Sequence, residues 1–296
     1  MEKSAEGTLG RSASLPLTWP RLGNVIRLCK NKQGMIGLLI LLPLVAVALL
    51  APVLPLADPL ASNVKAGLHA PALDYPMGTD KIGRDIMSRT ISGMQTSLVV
   101  GFVVAAITLA GGLLVGTISA YFGGRLDRII MAIVDVFLSF PSLLLAIALV
   151  AIFGAGILPV IVAIAIADLP RSIRLQRSLV LSVKSRPYID AARMVSAPTH
   201  WLMARHIVPN TLAPMLVSAS IVAASAILTE ASLSFLGLGI TPPAPSLGNI
   251  IKEGQPYLQE AWWISTFPGL VIFAIAVSLH LIADGIREVM DPRSRQ

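Results

Sequence analysis

Residues 185–201 read SRPYIDAARMVSAPTHW, and this polar stretch decides how the rest of the chain is interpreted. It carries three charged side chains and two prolines within a chain of 296 residues that is 55% hydrophobic and only 13% charged. Soluble domains usually contain about 25% charged residues. The composition therefore indicates an integral membrane protein, and the question is what a short polar helix does between long apolar segments.

Long uncharged windows lie on both sides of this stretch. The longest, between Arg89 and Arg125, has 35 residues, and the shortest, between Glu260 and Asp284, has 23. A transmembrane helix needs about 20 apolar residues. We therefore predict an all-α membrane protein with six transmembrane helices and a polar helical segment between helices 4 and 5. The predicted helices are residues 35–55, 97–121, 129–152, 156–170, 210–234 and 264–285.

The lysines and arginines predict the orientation, because cytoplasmic loops are enriched in them. If the N-terminus lies inside, the even number of spans places 18 of the 23 Lys and Arg residues in cytoplasmic segments. We predict that both termini are cytoplasmic and that the chain is surrounded by membrane lipid. The same distribution accounts for the formal net charge of +7 without a nucleic-acid partner.

The segment 171–209 is too long to be a simple turn between spans. Its first part places arginines on one helical face, which predicts that helix 4 continues out of the bilayer. Pro187 suits the first position of a new helix, where a missing N–H costs nothing, and Asp190 in the first turn interacts favourably with the helix dipole. Pro209 is predicted to close the segment before helix 5.

Two small side chains, Ala191 and Ala192, follow in this short helix and permit another surface to approach its backbone closely. The residues alone leave two interpretations open. The segment docks to a soluble partner protein, or it forms a cap that folds back on the helical bundle.

The stretch YIDAARMVSAPTHWLMARHIVPNTLAP, residues 188–214, resembles the EAA loop of ABC-importer permeases, the coupling helix that fits a groove on the ATPase subunit. Asp190, Ala191 and Ala192 take the Glu-Ala-Ala positions, and Ser196 takes the position of the family's glycine. The resemblance implies that the following residues couple to the ATPase: Pro187, Tyr188, Asp190, Ala191, Ala192, Arg193, Ser196, Pro209 and Asn210.

Two of these residues depart from the family pattern. Asp190 in place of Glu keeps the charge and shortens the side chain by one methylene. Ser196 in place of Gly is the larger change, because glycine permits a backbone turn that a side chain resists. If the turn requires a positive φ, Ser196 is strained.

Four further stretches resemble the dipeptide/oligopeptide/nickel permeases in the same order: MGTDKIGRDIMSR (77–89), SFPSLLLAIALVAIFG (139–154), ASLSFLGLGITPPAPSLGNII (231–251) and ADGIREVMDPR (283–293). The resemblance covers residues 30–293. It implies the C-type permease subunit of a bacterial or archaeal inner-membrane importer. We divide the chain into a cytoplasmic tail (1–33), a first helix with an extracytoplasmic segment (34–95), and a permease domain (96–296) containing the EAA-like loop 171–209.

The same resemblance implies the partners: a homologous second permease subunit, two cytoplasmic ABC ATPases and an extracytoplasmic substrate-binding protein. Short peptides are the implied cargo, with a nickel chelate, glutathione or an opine as alternatives. The sequence contains no G-x-x-x-x-G-K-[ST] phosphate loop, so ATP and Mg are expected on the ATPase subunits. The chain itself is predicted to be no enzyme and to hold no cofactor. Its four histidines lack metal-ligand spacing.

Ionisable side chains inside predicted spans are candidates for function. Asp135 in helix 3 and Glu230 near the outer end of helix 5 could line the translocation path or form hydrogen bonds at a subunit interface. A proton-coupled secondary transporter that uses these two carboxylates as a relay is the alternative function. The projecting EAA-like segment argues against it.

Overall fold

The computed structural model describes residues 31–290, and the described part of the chain is almost entirely helical. The predicted tail, residues 1–33, lies outside the described residues except for its last three. We number the helices α1 (Lys32–Leu50), α2 (Ile86–Phe122), α3 (Gly124–Leu138), α4 (Ser142–Phe153), α5 (Ile157–Lys184), α6 (Pro187–Met194), α7 (Thr199–Leu236), α8 (Leu247–Gly254) and α9 (Trp263–Met290).

Helix α2 begins at Ile86, eleven residues before the predicted start of the second span. Asp85 caps this helix, because its carboxylate accepts hydrogen bonds from the backbone N–H groups of Met87 and Ser88 at 3.4 and 2.8 Å. The predicted span covers only the later part of this helix, because Arg89 was treated as the boundary of an apolar window. In the structure the Arg89 side chain is buried inside the protein and paired with carboxylates.

The predicted third helix, residues 129–152, is two helices. α3 and α4 meet at an angle of 90° across residues 139–141. Pro141 has extended backbone angles, φ −56° and ψ 129°, and cannot donate a backbone hydrogen bond. The break is complete, because the helix stops at Leu138 and restarts only after the proline.

Helix α5 runs without interruption from Ile157 to Lys184, which confirms that the fourth predicted helix extends well beyond residue 170. The prediction that Pro209 separates the polar segment from helix 5 is wrong. Pro209 lies inside α7, just after a π-helical turn at Met203–Ile207. This wider turn changes the hydrogen-bond register of the backbone and accommodates a residue that has no N–H.

Four helices of the described chain are long and apolar enough to cross a membrane: those at Lys32–Val53, Ile86–Phe122, Thr199–Leu236 and Trp263–Val289. The bent pair α3–α4 makes five if it counts as one span. α5 is not among them, and its second half carries three arginines. The all-α membrane fold is confirmed, and the count of six spans stays a prediction.

The helices pack into a bundle around α7, which contacts α2, α5 and α9. α1 lies against α9, where Gly37 permits close approach: a Cβ at that position would lie 2.7 Å from the Ser278 carbonyl oxygen. α6 precedes α7 and α8 follows it. We therefore call the two ends of the bundle the α6 end and the α8 end.

Candidate functional site

The short helix α6 forms as the sequence predicts. Pro187 is its first residue and Asp190 lies in its first turn. Arg193, one turn later, is 3.3 Å from the Asp190 carboxylate, and both side chains are largely exposed. This pair lies on the surface, where ion pairs contribute little to stability.

The turn after α6 contains Ser196 in a left-handed conformation, with φ of 57°. The Ser196 N–H donates to the Arg193 carbonyl oxygen at 2.9 Å, and the Ala197 N–H donates to the Ala192 carbonyl oxygen at 3.2 Å. These two bonds form a Schellman motif, whose left-handed residue is usually glycine. The expected conflict at this position is therefore present: a serine takes the conformation that favours glycine.

One side chain of α6 points inward. Ile189 is fully buried and packs in a small apolar cluster with Val180 and Val183 of α5 and Ile207 of α7. Tyr188 packs at the margin of this cluster. The cluster anchors α6 to both of the long helices that it connects.

Part of the remaining apolar surface of the α6 segment is exposed. Met194 and Val195 are 81% and 78% exposed, and Ala191 is also exposed. The α6 segment thus presents a small, partly apolar surface that no other described part of the chain covers. Asn210, the last predicted coupling residue, lies apart from this surface: its amide donates to the His206 carbonyl oxygen within α7.

Glu230 is fully buried at the α8 end of α7. The Ser97 hydroxyl of α2 donates to one carboxylate oxygen at 2.7 Å, and the Ser234 hydroxyl donates to the other at 2.8 Å. Glu230 therefore connects α2 with α7.

Asp135 has a different environment. It lies on the exposed side of α3, and its carboxylate pairs with the Arg174 guanidinium of α5. The two acidic residues that the sequence grouped together therefore occupy unrelated places: one is enclosed by hydroxyl groups and the other is part of a surface ion pair.

A buried charge network at the α8 end was not predicted. Asp80 accepts hydrogen bonds from the guanidinium groups of Arg84 and Arg89, each at 2.5 Å. Glu253 of α8 pairs with the same two arginines at 2.6 and 2.9 Å. We call these four residues the outer network. It ties the segment before α2 to α8.

The outer network explains much of the stretch MGTDKIGRDIMSR, which the sequence marked by resemblance alone. Asp80 also accepts from the backbone N–H groups of Ile82 and Arg84, which shapes the loop. The Thr79 carbonyl oxygen accepts a hydrogen bond at 3.1 Å from the buried indole of Trp263 in α9. The alternation of Asp and Arg in this stretch was the only sequence signal for an ion-pair network. Glu253 could not be identified as a partner from sequence spacing, because it lies 164 residues after Arg89 in the chain.

Within residues 31–290, no three His, Cys, Asp or Glu side chains are grouped so that they could hold a metal ion. The described chain thus combines membrane-spanning helices with a short exposed helix between two long ones. This arrangement defines the class: an integral-membrane protein with a short polar helix exposed between two of its long helices.

Comparison with known families agrees with this class. Residues 112–296 match the family described as "Binding-protein-dependent transport system inner membrane component", and residues 24–71 match the "N-terminal TM domain of oligopeptide transport permease C". The chain belongs to the family of binding-protein-dependent transport system inner membrane components, which are transport components.

Curated relatives share most of the chain. A putative peptide transport system permease protein of Brucella abortus is 41% identical over 267 residues, which cover 90% of each chain. The dipeptide transport system permease protein DppC of Haemophilus influenzae is 38% identical over 273 residues, covering 90% of this chain and 92% of the relative. The probable D,D-dipeptide permease DdpC of Escherichia coli is 41% identical over 82% of each chain.

Solved structures share the fold. A chain from the inward-facing MetNI methionine ABC transporter matches with a TM-score of 0.58 and 21% identity. The match covers 70% of this chain and 98% of that chain.

Proposed function

We propose that this chain is the C-type permease subunit of an ATP-driven importer, and that it forms half of a translocation path for short peptides. The observation that carries the proposal is α6. It is held between α5 and α7 by the buried Ile189, while Ala191, Met194 and Val195 face away from the bundle. A surface of this kind suits a soluble motor protein that must grip the membrane subunit.

The other parts of the proposal follow from the family. A binding-protein-dependent importer needs a second permease, two ATPases that carry ATP and Mg, and a binding protein on the opposite face. In this arrangement the α6 end and both termini face the cytoplasm, and the α8 end faces outward. Movement of the ATPases displaces α6 and switches the bundle between two states as a rigid body.

Peptides are the proposed cargo because the curated relatives are named as peptide or dipeptide permeases. The proton-relay alternative has little physical support. Asp135 pairs with Arg174, and Glu230 is surrounded by hydroxyl groups, so each carboxylate already has local partners.

The docking role is tested by Ala191→Arg. We expect this variant to insert into the membrane normally and to lose co-purification with the ATPases, because a long charged side chain separates the two surfaces. Ala57→Arg is the matched control, since Ala57 is exposed in the segment between α1 and α2. It should co-purify as the wild type does. Normal co-purification of the Ala191→Arg protein would refute docking through α6.

The energy source is tested in vesicles that contain the whole complex, the binding protein and ATP. We expect uptake of a labelled dipeptide to continue when a protonophore abolishes the proton gradient. Uptake that stops while ATP persists would contradict an ATP-driven importer.

A further inference from the structure

The side chain of Gln176 joins three helices near the α6 end. It belongs to α5 and is fully buried. Its amide nitrogen donates to the hydroxyl oxygen of Thr117 in α2 at 2.8 Å and to that of Thr211 in α7 at 2.9 Å. Both threonines are themselves buried. Both of these hydrogen bonds go to other helices, so the polar side chain of Gln176 serves contacts between helices rather than α5 itself.

The helices approach each other closely around this side chain. A Cβ at Gly116 of α2 would lie 2.7 Å from the Cβ of Gln176, and one at Gly112 would lie 2.9 Å from the Cβ of Ser172. Small residues permit such contact between membrane helices. Gln176 therefore lies where α2 and α5 are packed backbone to backbone.

Both threonine partners follow π-helical turns. Thr117 comes directly after the π turn Gly112–Gly116 of α2, and Thr211 comes one turn after the π turn Met203–Ile207 of α7. Such turns are places where a helix bends and are frequent at functional sites. Each hydrogen bond of Gln176 thus holds a helix just beyond its irregular turn.

The bond to Thr211 also closes a loop in the chain. Residues 176–211 leave the bundle along α5, form α6 and return along α7, and the Gln176–Thr211 hydrogen bond joins the two ends. Above this bond, Ile189 of α6 is packed on Val180 and Ile207. A displacement of α6 is therefore transmitted to α5 and α7 through the apolar cluster around Ile189 and the Gln176–Thr211 hydrogen bond.

We propose that Gln176 is a positioning residue for transport: it holds α2, α5 and α7 together so that a displacement of α6 moves the three helices as one body. The inference rests on the proposed function, in which ATPases displace α6. An amide suits this role because it is neutral and supplies two donors. Side-chain hydrogen bonds of this kind between helices stabilise the packing of membrane helices.

The test compares Thr117→Val with Thr117→Ser in the assembled complex. Valine has nearly the same shape and removes the hydroxyl that accepts from Gln176, whereas serine keeps it. Spin labels are placed at the exposed positions Arg186, immediately before α6, and Val99 of α2, after Cys29→Ser removes the single native cysteine. Distances between the labels are measured without nucleotide and with ATP and vanadate.

We expect the wild-type and Thr117→Ser proteins to keep one narrow distance in both conditions, because α2 follows α6. In the Thr117→Val protein the distance should shift or broaden by about 2 Å on nucleotide binding, the scale of helix shifts in such transitions. Gln176→Met should give the same result as Thr117→Val. A merely stabilising role would lower the yield of complex and leave these distances unchanged.

Two outcomes would overturn the inference. One is a wild-type distance that already shifts with nucleotide, since α2 and α6 would then move separately. The other is an unchanged distance in both Thr117→Val and Gln176→Met. Failure of the proposed function gives a different result: Ala191→Arg, measured in parallel, would retain its ATPases.

Discussion

The two ends of the bundle are built differently. At the α8 end, the outer network places Asp80 and Arg89 at 2% and 3% side-chain exposure. At the α6 end, the Asp190–Arg193 pair has exposures of 63% and 37%. The outer network is enclosed by the chain, and the Asp190–Arg193 pair lies on the surface. The difference distinguishes charges that the chain itself encloses from charges that remain available to a partner.

Each end also contains one buried polar side chain that joins helices through hydroxyl groups. Glu230 connects α2 and α7 through the Ser97 hydroxyl, and Gln176 connects α2, α5 and α7 through threonine hydroxyls. The α8 end adds the charged outer network to this connection. The α6 end adds the small apolar cluster around Ile189 and two π-helical turns.

The largest expected effect comes from breaking the outer network. Arg89→Met should lower the free energy of unfolding in detergent by about 3 kcal/mol, because a buried carboxylate loses a partner. Arg84 still pairs with Asp80, which keeps the effect at the low end of the usual range. Thermal or denaturant unfolding of the purified chain measures the change.

The matched control for Arg89→Met is Arg193→Met, which breaks the exposed pair with Asp190. It should change the free energy of unfolding by less than about 0.5 kcal/mol. Equal losses of unfolding free energy in the two variants would show that the two ion pairs do not differ in the way that the exposures of their side chains indicate.

A smaller effect is expected from the two acidic residues. Glu230→Gln keeps the size of the side chain but replaces one accepting oxygen with an amide group, so one serine hydroxyl loses its acceptor. We expect a loss of about 1 to 2 kcal/mol in the free energy of unfolding. Asp135→Asn, in an exposed pair, should cost less than about 0.5 kcal/mol.

Transport separates the two roles that the sequence left open for Glu230. If this residue is a structural connection, uptake per folded Glu230→Gln complex should equal that of the wild type. Loss of uptake with unchanged stability would instead place Glu230 in the translocation path.

The sequence predicted most of the spans because apolar length alone determines whether a helix can cross a bilayer. It did not include the first eleven residues of α2 in a span, for a physical reason. A window that ends at the first charge cannot recognise that Arg89 is neutralised by Asp80 and by Glu253, which is distant in sequence. Charge neutralisation by distant residues depends on the fold and has no local pattern.

In the polar segment, by contrast, the structure follows from local sequence signals. Pro187, Asp190 and the glycine position at Ser196 are local signals, and each gave the observed start, first turn and end of α6. Pro209 led to a wrong helix boundary, because the π turn before it accommodates a residue without an N–H and the helix continues through the proline. The 90° break between α3 and α4 could be located at Pro141, but its angle depends on packing against α5.

The smallest expected effect concerns the backbone at Ser196. A left-handed conformation costs a residue with a side chain about 1 kcal/mol relative to glycine, and this cost opposes closure of the turn after α6. Ser196→Gly should therefore slow amide hydrogen exchange at Ser196 and Ala197 about fivefold, since local opening controls exchange there. Ser196→Ala retains the side-chain conflict and should exchange at nearly the wild-type rate. Faster exchange in the glycine variant would mean that the serine side chain stabilises the turn, and that the α6 end is more constrained than its exposed surface indicates.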